Sequence, residues 1–578
     1  MAGWLERLAG RLASGPALAA IAALTFLPAL WAGPFADDDL LLLALRGDLP
    51  GPSGPLAAYR FVPGEPGLLE SLRHGGMSPW WAHPELTVQF FRPLTSLTLA
   101  FDAWFVPRGA GLGALAHAHS LLWVAALTLA ARRLFTRVLS PSVASVAALL
   151  HALTGATAIN GAWISARHAL IGGTFALLAA EAHLSWRAGA GRAWSPWAWF
   201  GLGLLASESA LGAAAWVLAF ELWGARDAVG ARVRAVLPWA VASLGFVVAY
   251  RLAGFGVAHS GSYLDPAADP IGAGAVMLAR AVALAATGLI AAPAELGTRP
   301  GGLEALVVAG VVAVAGATAL TRALADHVDD GDRAALRWAL PGGLLAVVPS
   351  LPGLMGGRLL MVGGPALLAW VALLAVAAGR APAARWWVRG GVALLVIPAV
   401  ITGPLQRLYV AYLLGEVGAQ VEAIGVDARA LCGPDDDMLV LGASDYGVAA
   451  YVPTAMLRRE GRLLWRSYRP LTLVPDDVTV TRVDLAHVEV RTATQPLYQG
   501  AFERVYNDAP PPAGVPIDAG AFEVVPGADQ RSFLLGFRRE VPASACFVRF
   551  DGARLRRVHL GAIGEPTRVP WAVGPMER

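Results

Sequence analysis

Three consecutive carboxylates, Asp37, Asp38 and Asp39, follow directly on an apolar segment that closes with Ala29-Leu30-Trp31. An ionisable group at the edge of hydrocarbon is costly to hold there, which makes it a functional candidate. Crowded carboxylates raise one another's pKa, and a raised carboxylate suits the work of a general base. Successive helix positions turn by about 100°, so one or two of the three can face any one cavity. The rest serve as a solvated helix end, and the triplet reduces to a polar membrane-exit cap if none does chemistry.

Cations that could meet an anionic substrate stand elsewhere in the chain. Arg92, Arg167 and Arg358 are candidates, because a guanidinium fork binds phosphate oxygens bidentately. Each has a structural alternative: an interfacial anchor for Arg92, snorkelling to the headgroups for Arg167, and a loop anchor after Gly356-Gly357 for Arg358. Glu208 interrupts a long apolar stretch and needs a partner, with a salt bridge across a helical hairpin as the alternative to chemistry. His117 and His168 fall near helix ends, where a hydrogen-bonded imidazole is the competing reading.

The elements that must position these residues belong to a membrane protein. Of 578 residues 56% are hydrophobic and 15% charged, against about 25% charged in soluble chains. The net charge of +3 and the lack of a basic-aromatic patch argue against nucleic acid; the basic excess fits cytoplasmic loops. The two cysteines, Cys432 and Cys546, form no CxxC pair, which disfavours a zinc or thioredoxin-type site.

Residues 1–33, with Arg7 and Arg11 before an apolar run, read as an uncleaved first membrane helix with a cytoplasmic amino terminus. The segment 34–110 is then a large outer loop, and Phe90 to Phe105 within it is an amphipathic helix lying on the outer membrane surface. Further apolar segments follow at 111–131, 141–159, 163–185, 194–224, 235–254, 271–293, 302–321, 338–354, 358–378 and 387–404. The stretch 194–224 is too long for one ordinary crossing of about 20 residues, and Ser207-Glu208-Ser209 divides it into two short helices meeting outside. If both of these cross, 271–293 must be re-entrant or surface-lying for the arginines of 322–337 to stay cytoplasmic. The expectation is an α-helical polytopic protein of about 11 or 12 membrane segments over 1–404.

From 405 to 578 the chain turns polar, and Met438–Leu441, Val478–Val483, Val488–Arg491 and Phe533–Arg538 read as strands. Pro510-Pro511-Pro512 marks a loop. This is a soluble extracytoplasmic domain, β-rich or mixed α/β, large enough for its own core. In an oxidising compartment Cys432 and Cys546 could pair, the alternative being two buried thiols. Asp435-Asp436-Asp437 reads as a turn.

Several stretches, in order, carry a resemblance. Phe35-Ala36-Asp37-Asp38-Asp39 is similar to Phe-x-x-Asp-Asp at a first membrane exit. Phe91-Arg92-Pro93-Leu94-Thr95 looks like a Tyr-Arg-Pro-Leu surface helix. His117 stands where a His opens the second membrane helix. Trp163 to Leu170 resembles Gly-Arg-x-Asp-Leu, Ala206 to Leu211 resembles Ser-Lys-Glu-Ser-Ala-Leu, and Gly357-Arg358-Leu359-Leu360 looks like a late Arg-Tyr-Leu-Tyr. Together they resemble the GT-C superfamily of polytopic glycosyltransferases, most nearly the protein O-mannosyltransferase relatives and the aminoarabinose transferases. The resemblance covers about residues 15–375 and leaves out the C-terminal domain. Ser207, His168 and Leu359 depart from the pattern, where a Lys, an acid and a Tyr would stand.

The resemblance implies transfer of a sugar from a polyprenyl-phosphate donor to a protein or cell-envelope glycan or lipid acceptor, at the outer face of a bacterial-type inner membrane. A base must accept the hydroxyl proton, a cation must stabilise the leaving phosphate, and an apolar groove must hold the lipid tail. Asp38 matches the first acid and is the expected base, with Asp39 and Asp37 next. Arg92, Arg167 and Arg358, with His117, His168 and Glu208, are expected around the donor. No cofactor is certain from the residues; a divalent cation could sit at the Asp triplet, although the spacing shows no carboxylate ladder. A lipid or glycan transporter, or an inactive scaffold of the same fold, are the alternatives. A transporter should show paired broken helices in two related halves, and no such repeat is evident.

Overall fold

The computed structural model describes residues 2–65, 67–74, 78–443, 447–500 and 502–574; the side chain of Arg7 lies outside the described residues. The chain opens with helices α1 (Ala2–Leu12) and α2 (Gly15–Leu24) and a short 3-10 turn at Leu27–Trp31. α3 (Asp38–Arg46), α4 (Leu68–His74) and α5 (Pro93–Trp104) belong to the first large connection. Then come α6 (Ala114–Val138), α7 (Pro141–Leu153), α8 (Ala158–Ala162), α9 (Arg167–Arg187), α10 (Ser195–Ala206), α11 (Gly212–Ala219) and α12 (Val229–Leu252). α13 (Pro270–Ile290), α14 (Gly302–Ala323), α15 (Asp330–Ala346), α16 (Gly364–Arg380), α17 (Trp386–Ile397) and α18 (Gly403–Ala428) complete the bundle.

Among the described residues, seven helices are long and apolar enough to cross a membrane. Two shorter apolar helices, α2 and α16, and the helices α10, α11 and α15 pack among them. The protein is a multi-pass membrane protein. Exposed aliphatic side chains such as Leu237, Val241 and Leu244 on α12, and Val308 and Val311 on α14, face outward where lipid would lie. Trp194, Trp197, Trp223 and Trp386 are exposed near the bundle end that also carries Arg187, Arg226 and Arg380, as interfacial anchors do.

The hairpin divided at Ser207-Glu208-Ser209 forms as expected. α10 rises along α9, Thr95 Oγ1 donates to Ala206 O at 2.9 Å, and the chain turns at Glu208–Leu211. α11 descends until Glu221 meets His183 and Arg187 near the far end of α9. The segment before α13 ties Leu264 N–H to Pro352 O, Arg280 at its middle donates to Leu351 O and Gly353 O, and Glu295 beyond it accepts from Gly357 N–H. All three anchors lie on one connection, residues 351–357. Close approach elsewhere needs glycine: a Cβ on Gly343 or Gly363 would strike the other's carbonyl where α15 meets α16.

Two boundaries differ from the sequence reading. The polar stretch expected as a loop at 322–337 is largely the first turns of α15, with Ser140 N–H and Oγ both donating to Asp332. The last membrane helix does not stop near 404. After a π-turn at Pro398–Thr402 it runs on to Ala428. Arg407 stays buried there, donating to the carbonyls of Thr154 and Ala152 and to Thr25 Oγ1. The polar composition from 405 onward therefore does not mark the end of this helix.

β1 (Arg60–Pro63), β2 (Thr87–Gln89) and β3 (Gly256–Ala258) join the first connection to the loop after α12 as one antiparallel sheet. The C-terminal domain holds β4 (Asp437–Leu441), α19 (Val452–Glu460), β5 (Ser467–Pro470), β6 (Val478–Arg482), β7 (His487–Thr492), β8 (Ile517–Asp518), β9 (Glu523–Pro526), β10 (Ser532–Gly536), β11 (Ala545–Phe550), β12 (Leu555–Arg557) and β13 (Pro566–Val569). The four expected strands are β4, β6, β7 and β10. One sheet runs β13-β6-β7-β10-β9-β8; the other runs β12-β11-β4-β5, with β4 parallel to both β5 and β11. α19 provides the β4-to-β5 crossover that a parallel pair requires. Cys432 and Cys546 form a disulfide, Cα atoms 6.0 Å apart, pinning the chain after α18 to β11. The first connection docks into this domain. Trp80 Nε1 donates to Leu471 O, Trp81 Nε1 to Glu503 O, and Asn507 to Trp81 O.

α5 is the amphipathic helix expected within Phe90 to Phe105. Thr95, Leu99 and Asp102 face inward, whereas Leu97, Phe101 and Trp104 form an exposed apolar face at helical spacing.

Candidate active site

The acidic turn is set by its neighbours. Ala36 takes a left-handed conformation, φ 53°, which an L-residue other than glycine adopts at a cost. The chain thereby bends sharply between Phe35 and Asp37 as it enters α3. The three carboxylates then diverge. Asp37 Oδ1 accepts from Trp163 Nε1 at 3.0 Å. Asp38 Oδ1 accepts from Ser165 N–H at 2.8 Å and Ser165 Oγ at 2.5 Å, while its Oδ2 accepts from Phe35 N–H at 3.0 Å. Asp39 Oδ1 pairs with Arg458 Nε at 2.8 Å, on α19 of the C-terminal domain.

Burial pushes all three above the ordinary carboxylate range. Asp37 rises to about 6, with its hydrogen bonds and the charge of Arg358 holding it back. Asp38 rises to about 7, because burial is joined by the neighbouring charge of Asp37. Asp39 rises to about 6 against the opposing pull of Arg458.

Beside this turn lies a cavity of about 2000 Å3 between the helical bundle and the C-terminal domain. Asp37, Tyr59, Trp163, His168, Glu208 and Arg358 line one wall. Phe246 and Val247 of α12, Met277 of α13, and Tyr409, Val410 and Leu413 of α18 give it apolar flanks. Glu503, Arg504 and Tyr506 line it from the C-terminal domain.

Of the expected base residues, Asp37 is half-buried and faces this cavity. Asp38 is 0% exposed and its oxygens are occupied by protein donors, so the structure does not bring it to the cavity. Asp39 faces the other way, toward Arg458. The match to a first acid had pointed to Asp38; the left-handed Ala36 turns the triplet by one residue.

Of the expected cations, Arg358 is half-buried on the cavity wall with its guanidinium carbon 6.0 Å from the Trp163 ring centre. It donates to Leu354 O at 3.4 Å and makes no ion pair among the described residues. Trp163 thus meets both groups, Asp37 at its Nε1 edge and Arg358 over its ring. Arg92 also lines the cavity but is committed: Nε and Nη2 both stand 3.0 Å from Glu208 Oε2, and its guanidinium lies over Tyr59 and Phe90. Tyr250 OH donates to Glu208 Oε1 at 2.8 Å, so Glu208 bridges α5 to α12. His168 reaches the cavity beside Tyr59 and meets Ser207 Oγ through Nδ1 at 3.3 Å.

Two expected donor-site residues lie elsewhere. Arg167 is fully buried; it pairs with Asp102 at 2.6 Å and donates to Ala116 O and Ser120 Oγ. Its guanidinium locks α5, α6 and α9 together instead of facing the cavity. His117 is buried on α6 beneath the acidic turn and lines no part of the cavity.

Tyr59, Trp163, Tyr250, Glu295 and Arg458 carry no site reading in the sequence. Tyr59 OH donates to Ser165 O at 2.7 Å and so braces the segment that holds Asp38. Trp163 stands at the start of a quoted motif but carries no role there. The others arrive from segments far apart in the chain, and no local pattern marks them. The divalent cation raised for the Asp triplet meets no matching cage: the carboxylates point to three different partners, and among the described residues no group of three His, Cys, Asp or Glu is arranged to hold a metal.

No family model matches the chain, and no curated protein matches it. Among solved structures it is similar to the oligosaccharyltransferase of Archaeoglobus fulgidus tethered to an acceptor peptide containing the NVT sequon. The identity is 13% and the TM-score 0.40, over 79% of this chain. The chain spans 63% of the length of that structure.

Proposed function

We propose that the protein is a membrane glycosyltransferase that moves a sugar from a polyprenyl-phosphate donor to a hydroxyl of a protein or cell-envelope glycan or lipid. The observation that carries this reading is that Asp37 and Arg358 line one cavity around the same indole, Asp37 at the Nε1 edge of Trp163 and Arg358 over its ring. Asp37, with a carboxyl raised to about 6, accepts the acceptor's hydroxyl proton as the new glycosidic bond forms. Arg358, which makes no ion pair among the described residues, meets the charge that develops on the departing phosphate. Arg92 shapes the cavity through Glu208 and supports the site without being free to bind oxygen. The apolar flanks on α12, α13 and α18 suit the lipid tail. The arginine-rich end of the bundle is cytoplasmic in this reading, which puts the cavity and the disulfide of the C-terminal domain on the outer side.

The test is a deletion strain carrying either the wild-type chain or Asp37→Asn at equal membrane level. Mass spectrometry of envelope proteins, glycans and lipids should show one sugar-bearing species that the wild type restores and Asp37→Asn does not. Restoration by both would overturn the assignment of the base. A species that differs only in which leaflet holds it would point to transport.

A further inference from the structure

The resemblance leaves out the C-terminal domain, yet one of its side chains reaches the acidic turn. Arg458 sits on α19 with its side chain 4% exposed. Its Nε meets Asp39 Oδ1 at 2.8 Å, its Nη2 meets Glu422 Oε2 on α18 at 3.1 Å, and its Nη1 donates to Gly109 O at 2.8 Å. Three separate segments therefore fix one guanidinium.

Each acid of the turn is gripped by a different group: Asp37 by Trp163, Asp38 by Ser165, Asp39 by Arg458. The bend at Ala36 directly before them is strained, and such a backbone persists where its surroundings over-determine it. Trp163 and Ser165 are neighbours on one short segment, so they hold the turn from one side. Arg458 is the grip on the opposite side.

We propose that Arg458 is a positioning residue: through Asp39 it fixes the acidic turn so that Asp37 faces the cavity, which makes the C-terminal domain part of the catalytic unit. The inference rests on Asp37 being the base. Without Arg458 the turn loses its charged partner on that side, and the carboxylate of Asp37 shifts. A displacement of about 1 Å at a reacting group costs on the order of 100-fold in rate. The loss falls on the chemical step and spares donor binding, since Arg358 and the apolar flanks are untouched.

The test uses the full-length protein in vesicles made from deletion-strain membranes, with the polyprenyl-phosphate lipid fraction extracted from the same host as the donor. Titrating that fraction separates kcat from KM for Arg458→Gln, Arg458→Lys, Asp39→Asn and the Arg458→Gln/Asp39→Asn double variant. Arg458→Gln should lower kcat by about 10- to 100-fold with KM within about twofold, and Arg458→Lys should recover part of it. The double variant should be no worse than the more impaired single one. A wild-type kcat in Arg458→Gln, or losses that multiply in the double variant, would overturn the proposal. If Arg458→Gln does not accumulate, Asp39→Asn, which keeps the side-chain volume, must show the same kcat-specific loss, and a full kcat there overturns it. Asp37→Asn is run alongside. If it remains active the base assignment itself fails, whereas an inactive Asp37→Asn beside a fully active Arg458→Gln removes the positioning role alone.

Discussion

The indole of Trp163 donates to Asp37 Oδ1 at 3.0 Å while its ring lies beneath the guanidinium of Arg358. One side chain thus holds the proposed base and touches the proposed phosphate cation. Trp163→Phe keeps a ring under Arg358 and removes the donor to Asp37. A hydrogen bond to the ionised form favours it, so its loss raises the pKa of Asp37. The acid limb of the pH–rate profile should move to higher pH, with kcat at neutral pH lowered by about tenfold. An unmoved acid limb would separate Trp163 from the reaction.

The raised carboxyls also set a pH dependence of stability. Burial lifts Asp38 from about 3.8 to about 7 in the folded protein. A group raised in this way contributes stability that is complete below its unfolded pKa and is lost as pH rises through the folded value. Between about pH 4 and pH 7 the melting temperature of the solubilised protein should therefore acquire a falling component. Asp38→Asn, which cannot ionise, should flatten that component. An identical slope in the variant would mean that Asp38 ionises as readily in the folded chain as in the unfolded one.

Arg167 and Asp102 form an enclosed pair, both nearly without solvent contact. Removing one partner strands the other charge, at roughly 3–5 kcal/mol. Asp102→Asn should lower thermal stability sharply, and the fraction that folds should use the donor with an unchanged KM. A raised KM with normal stability would return Arg167 to the donor site.

Glu208 holds Arg92 on one oxygen and Tyr250 on the other. Glu208→Gln frees Arg92 from its counter-charge at the cavity wall. Stability should drop by about 2 kcal/mol, while an anionic lipid should bind more tightly. Binding of the extracted polyprenyl-phosphate fraction to the variant, measured against wild type, checks the second part. Weaker binding would make Glu208 itself a substrate contact.

Much of this architecture was legible in residue order. The polar break at Ser207-Glu208-Ser209 in an apolar stretch identified a hairpin because two short helices and one long one differ in length. The strands of the C-terminal domain followed from alternation. The choice among three adjacent acids was not legible, because it depends on a left-handed Ala36 that no local pattern demands. The burial of Arg167 was hidden as well. Its partner Asp102 is 65 residues away and becomes a partner only when α5 lies across α6 and α9. Helix α18 continued past the composition change because Arg407 finds carbonyl acceptors inside the bundle, which its charge alone would not suggest.

The central claim is that the base is the acid that faces the cavity, not its buried neighbour. The direct measurement compares Asp37→Asn with Asp38→Asn for initial sugar transfer in deletion-strain membranes, at matched folded protein. The expected result is a loss of at least about 100-fold for Asp37→Asn. Asp38→Asn should keep most of its turnover per folded molecule while melting differently. A fully active Asp37→Asn, or an inactive Asp38→Asn with unaltered stability, would contradict the account.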